Sequence, residues 1–335
     1  MAGRRLGWVW VALAVVTLAL GCKKGAGSGG KEVVVASIFP VYDLTRRVAG
    51  DAVRVELLLP PGRGVHDYQP TTKDARRVAG AKLAFLVGLE LDEWSGKIIE
   101  SAGGEVKLVE LGERVERKRF ATKTVGGDGE HHEGDSGDHD GDDDHGDHDD
   151  DHADKKDDDH DAHHHHDGDD PHVWLSVPLA MEMVDVITAE LSSAYPSHKQ
   201  TFETNAAALK KELAALHYEI KDETAKFKRK QLVTFHGSFG YFASEYGLDI
   251  VAVIEPYPGK KPSAAYLKEV LSTVAKTDVK ALYTEPQLAS RPAEVLANEA
   301  KLELHVLDPV GGLEGRESYA ATMRFNLEAL ARSMK

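Results

Sequence analysis

The chain has 335 residues, 41% of them hydrophobic, which is enough for two domains that each bury a core without help from a disulfide or a structural metal. Its net charge of −15 is a local property: 21 of the 56 acidic residues and 2 of the 41 basic ones lie in 128–170, leaving 39 basic against 35 acidic elsewhere. That near balance gives no reason to expect a nucleic-acid partner or a generally acidic surface.

Residues 1–21 read as an export signal, with Arg4 and Arg5 ahead of an apolar stretch at 6–20 that is too short for a comfortable membrane span. Leu18-Ala19-Leu20-Gly21, with the small Ala19 and Gly21, leads into Cys22. It is the only cysteine, so no internal disulfide can form, and the pattern resembles a bacterial lipobox whose cysteine becomes the lipidated first residue of the mature chain. Residues 22–31, rich in Gly and Ser, form a flexible tether between lipid and folded domain.

From residue 32 onward short apolar runs alternate with amphipathic stretches, the pattern of βα units around parallel sheets. Strands are expected at 32–38, 53–58, 83–87 and 106–111, with helices at 41–49, 71–79 and 90–101, making an N-terminal α/β lobe over 32–195 that segment 128–170 interrupts. A helix at 177–193 follows. Pro196 and Ser197 then open a long connecting helix over 196–228, polar on most faces and about 45 Å long at 1.5 Å per residue, suited to bridging two lobes. The C-terminal α/β lobe, 229–335, repeats the rhythm with strands at 231–235, 249–255, 281–285 and 303–307 and helices at 239–246, 264–276, 292–301 and 318–334; Ser263 is the expected N-cap of the second of these. The fold class is therefore α/β: two open lobes with mainly parallel sheets, joined by one long helix.

Six histidines lie outside the acidic segment. His66 sits in the loop 60–70 after a strand, His172 follows Pro171 and precedes Trp174, and His236 directly follows a strand and precedes Gly237. All three fall where open α/β sheets bind ligands. Asp308 ends the strand 303–307 and supplies a carboxylate at the same edge; Glu285, which closes 281–285, is the alternative fourth ligand. Three imidazoles and one carboxylate make a four-coordinate set that suits Zn²⁺, whereas Mn²⁺ prefers more oxygen. His198 and His217 are expected to be solvated on the long helix, and His305 to be packed in its strand.

These residues resemble the zinc and manganese ABC-importer binding lipoproteins, the zinc-uptake branch in particular. The resemblance rests on the His66 loop with Tyr68-Gln69-Pro70-Thr71, the run from Asp170 to Ser176, the run from Thr234 to Phe242, and Leu307-Asp308-Pro309. It implies two α/β lobes joined by a long helix with the ion between them, held at His66, His172, His236 and Asp308. A histidine rather than a glutamate at 236 points to zinc. Some zinc members carry a glutamate before the first histidine, where this chain has Val65, which strengthens the case for Asp308. The resemblance also implies partners: a membrane permease and an ATPase, with the membrane reached through Cys22, no nucleic acid, and a monomeric state.

Segment 128–170 holds the other eleven histidines: His131, His132, His139, His145, His148, His152, His160, His163, His164, His165 and His166. With almost nothing apolar it is expected to be disordered without metal and to offer weak, exchanging metal sites that gather zinc or sense its abundance. Three other readings compete with zinc import: a manganese-specific member, a surface adhesin or zinc-storage lipoprotein, and a metalloenzyme. The last is disfavoured, since a catalytic zinc needs an open position and three histidines with a carboxylate close the tetrahedron.

Overall fold

A computed structural model describes residues 32–101, 103, 106–116, 170–256 and 261–335, all within the compact unit Glu32–Lys335. The signal 1–21, Cys22, the rest of the tether and the eleven histidines of the acidic segment lie outside the described residues.

The first sheet contains β1 (Val33–Ala36), β2 (Arg54–Leu57), β3 (Ala81–Leu86) and β4 (Lys107–Glu110), all parallel, in the order β2-β1-β3-β4. The two central strands read as nearly continuous apolar runs, as strands covered on both faces do. Helices α1 (Phe39–Ala49), α2 (Thr72–Val78) and α3 (Glu93–Ser101) accompany it. The first of them begins two residues earlier than the sequence suggested, because Pro40 falls in the first turn, where its missing N–H removes no hydrogen bond. That helix ends at Gly50, whose φ of +55° and close neighbour Asn205 leave no place for a side chain.

Helix α4 (Val177–Ala194) and a 3-10 turn at Pro196–His198 lead into α5 (Lys199–Ala225). At 27 residues, α5 is about 40 Å long. It is less uniformly polar than its sequence suggested: Phe202, Ala206, Leu209, Leu213, Leu216, Ile220 and Thr224 recur three or four residues apart and are buried.

The second sheet contains β5 (Gln231–His236), β6 (Asp249–Glu255), β7 (Ala281–Thr284) and β8 (Glu303–Val306), again all parallel, in the order β6-β5-β7-β8. Its helices are α6 (Gly240–Tyr246), α7 (Ala264–Val274), α8 (Ser290–Ala300) and α9 (Tyr319–Met334). Ser263 does cap α7, its hydroxyl accepting the Tyr266 N–H at 3.1 Å. The bridging helix packs its apolar stripe against α1 and α4 on one side and α6 and α9 on the other.

One buried core runs from the first sheet through α4 and α5 to Tyr241, Tyr283 and Leu330 of the second lobe, while a smaller one fills the opposite side of the second sheet beneath α7 and α8. A buried carboxylate also joins the lobes. Asp43 of α1 accepts the Tyr319 N–H at 2.8 Å, placing a negative charge on the N-terminus of α9.

In each sheet the chain leaves the central pair of strands in opposite directions, β1 beside β3 and β5 beside β7, so the switch points lie at the carboxyl ends of those pairs. His236 is the last residue of β5, and Glu285 immediately follows β7.

Candidate metal centre

Three segments far apart in sequence converge. His66 lies in the loop between β2 and α2, His172 just ahead of a 3-10 turn at Val173–Leu175, and His236 at the end of β5. Their ring centroids are 5.7 Å (His66 to His172), 5.1 Å (His66 to His236) and 5.2 Å (His172 to His236) apart. One nitrogen from each ring lies within 4.8 Å of the other two. A tetrahedral zinc with bonds near 2.0–2.1 Å wants its nitrogens about 3.4 Å apart, within reach of small side-chain rotations.

Each histidine is held in its own way. Val65 turns into the core at 6% exposure, and its carbonyl accepts the Trp94 indole N–H at 2.9 Å, so the His66 loop is pinned one residue before the exposed imidazole. His172 is buried; its backbone N–H and its ring Nδ1 both meet Asp170 Oδ1, at 2.9 and 2.7 Å. The neighbouring Trp174 ring lies 5.3 Å away and is itself fixed, Nε1 donating to the Pro309 carbonyl at 2.7 Å. His236 Nδ1 is 3.2 Å from Glu285 Oε1, which also accepts the Ser238 hydroxyl at 2.6 Å.

The His236 and Glu285 side chains are both buried, and each sets the other's charge. Burial opposes the imidazolium, but the charge and hydrogen bond of Glu285, with Asp170 and Glu255 adding to them, overcome it and hold His236 above its ordinary value. Burial likewise pushes Glu285 up, and His236, the Ser238 hydroxyl and the charge of His172 bring it below the usual carboxylate range.

Neither Asp308, the expected fourth ligand, nor Glu285, the alternative, belongs to the group formed by the three histidines. Asp308 is fully buried, and both its oxygens are committed: Oδ1 accepts from Gln287 Nε2 at 2.9 Å and from the backbone N–H groups of Val310 and Gly311 at 3.0 and 2.9 Å, and Oδ2 accepts from Arg316 at 3.0 Å. Gly311 has φ +82°, and a Cβ there would meet Thr322 Oγ1 at 2.2 Å, so the loop that wraps this carboxylate is tightly fixed. Glu285 is the carboxylate that lies against His236, as Asp170 lies against His172.

Of the remaining histidines, His198 is exposed, as expected, in the turn before α5. His217 departs from the expectation of solvation: it is half-buried on the flank of α5 that faces α6, with Nδ1 3.4 Å from the Tyr246 hydroxyl, and burial lowers its pKa. His305 is half-buried, its ring centroid 6.0 Å from that of Tyr283 and its Nε2 2.9 Å from Glu303.

The sequence model of the family described as zinc-uptake complex component A, periplasmic, matches residues 34–333. The chain belongs to this zinc-uptake family. It is 32% identical over 320 residues to the zinc-binding lipoprotein AdcA of Streptococcus pneumoniae serotype 4, covering 92% of this chain but 57% of that one, so it spans little more than half of AdcA. It is 31% identical over 312 residues to the high-affinity zinc uptake system protein ZnuA of Bacillus subtilis, covering 91% of this chain and 88% of the relative. The crystal structure of the Zn(II)-bound ZnuA-like domain of S. pneumoniae AdcA matches with a TM-score of 0.65 at 29% identity, covering 91% of this chain and 99% of that one. These relatives are named as zinc-binding and zinc-uptake proteins.

Two residues that support the histidines carried no clear signal in the sequence. Asp170 was counted as the last member of an acidic tract, although an aspartate two residues before a histidine, with proline between, is a turn signal in its own right. Ser238 carried no signal beyond its place in the run after His236.

Proposed function

We propose that the chain is the extracytoplasmic binding component of a zinc importer: it captures Zn²⁺ as cargo between its lobes and delivers it to a membrane permease driven by an ATPase. The observation that carries this reading is the convergence of His66, His172 and His236 to within 4.8 Å. Three neutral imidazoles suit zinc better than manganese, which favours oxygen donors. Glu285, already against His236, is the fourth donor, in preference to Asp308 with its full complement of hydrogen bonds. Together they close an N₃O tetrahedron and leave no open coordination position for a reacting water, so the site is built for holding an ion.

In the same reading Cys22 bears the lipid that keeps the protein at the membrane, the chain works as a monomer, and the histidines of 128–170 gather zinc near the cleft. The test uses protein lacking residues 128–169, equilibrated with equal zinc and manganese and then analysed for metal. One zinc per chain is expected. Manganese in excess, or no bound metal, would overturn the assignment of the cleft.

A further inference from the structure

The two buried histidines are braced differently, and the tighter brace comes from Asp170. A single oxygen, Oδ1, takes both the backbone N–H of His172 at 2.9 Å and its ring Nδ1 at 2.7 Å, whereas the Nδ1 of His236 is 3.2 Å from a carboxylate oxygen shared with Ser238. Binding the main chain and the ring of one residue at one atom fixes the imidazole's rotation as well as its position. An ionised carboxylate only accepts, so Nδ1 must carry the proton and Nε2 is left with its lone pair bare. The ring cannot flip in place without losing the 2.7 Å bond, and it lies beside Trp174, whose indole is locked onto the Pro309 carbonyl. The Asp170 side chain is only 13% exposed and that of His172 only 6%, so water competes little for either.

We propose that Asp170 is a positioning residue for metal capture: it sets the tautomer and orientation of His172 so that Nε2 faces His66 and His236 before any ion arrives. This rests on the reading of His172 as a ligand. Partners of this kind on metal-bound histidines are worth about 10–100-fold in affinity.

The test compares Asp170→Ala with Asp170→Asn in the full chain. Zinc affinity is measured by chelator competition, and the His172 tautomer by long-range ¹H–¹⁵N correlation above the histidine titration range. The wild-type His172 is expected as the Nδ1–H tautomer. Asp170→Ala is expected to lose about 10–100-fold in zinc affinity and to show a mixture of tautomers, while Asp170→Asn, which keeps an acceptor oxygen, recovers most of both. An Ala variant within about twofold of wild type, an Asn variant no better than Ala, or an Nε2–H tautomer in the wild type would each overturn the proposal. A His172→Ala variant separates the two readings: if it keeps full zinc affinity, the assignment of His172 as a ligand has failed. If it loses affinity while Asp170→Ala does not, only the positioning role has failed.

Discussion

His236 ends a central strand, is 6% exposed and has a carboxylate and a serine hydroxyl arranged around it, whereas His66 sits exposed on a loop held through its neighbour Val65. In the second lobe His236 is therefore fixed by side-chain partners, Glu285 just after the neighbouring β7 and Ser238 just after β5. The first lobe offers two different histidines: His172, buried and braced by Asp170, and His66 on a solvent-facing loop fixed by a main-chain carbonyl under an indole. Preorganisation belongs to the two buried histidines, His172 in the first lobe and His236 in the second, and access to His66 alone.

The largest effect is expected on the second lobe's framework. Asp308→Ala leaves Arg316 and two backbone N–H groups without their acceptor in a buried place, and should cost about 3–5 kcal/mol of folding stability, read from the denaturant midpoint. If Asp308 were instead a metal ligand free of structural duty, stability would hold and zinc affinity alone would fall.

Next comes the direct comparison of the two histidines. His236→Ala should weaken zinc binding by about 100–1000-fold, roughly one ligand's share of a four-ligand zinc site. His66→Ala should cost only about tenfold, because water can take over a coordination position on the exposed side. Equal losses by competition titration would erase the distinction between the buried and the exposed histidine.

The acid limit of binding sharpens the same contrast. Zinc needs His236 without its proton, and the pKa of that imidazole lies above the ordinary 6.5, so affinity should begin to fall at a pH higher than an unperturbed histidine would give. In the folded metal-free protein the two groups act on stability with opposite signs. The raised His236 contributes stability below the ordinary histidine value and loses it as pH climbs through the raised one. The lowered Glu285 contributes above the ordinary carboxylate value and loses it as pH falls through the lowered one. Glu285→Gln should therefore move the onset of acid weakening to lower pH, measured as zinc affinity against pH. The smallest effect is expected at Trp94→Phe, which removes the hydrogen bond to the Val65 carbonyl and should cost about 1 kcal/mol in thermal or denaturant unfolding.

Much of this was legible in the sequence, because period and punctuation are local. All eight strands among the described residues fall where apolar runs between turn signals place them, His66 and His236 follow strands, and His172 stood out between Pro171 and Trp174. What could not be read is what depends on a distant partner. Strand-end position favours Asp308 and Glu285 alike; what separates them is Arg316, reaching back from eight residues later, and the adjacency of β5 and β7 that sets Glu285 against His236. The stripe on α5 was hidden by its many charges, and His217 was taken as solvated because the helix facing it, α6, is close only in space.

The three imidazoles come from positions spread over 170 residues of chain, so no short stretch of the polypeptide contains the chelate. An unfolded or half-folded copy has nothing with which to hold the ion there, and the ion in turn favours the folded copy by mass action. In the reading proposed above, zinc held in the cleft therefore also reports that both lobes have assembled.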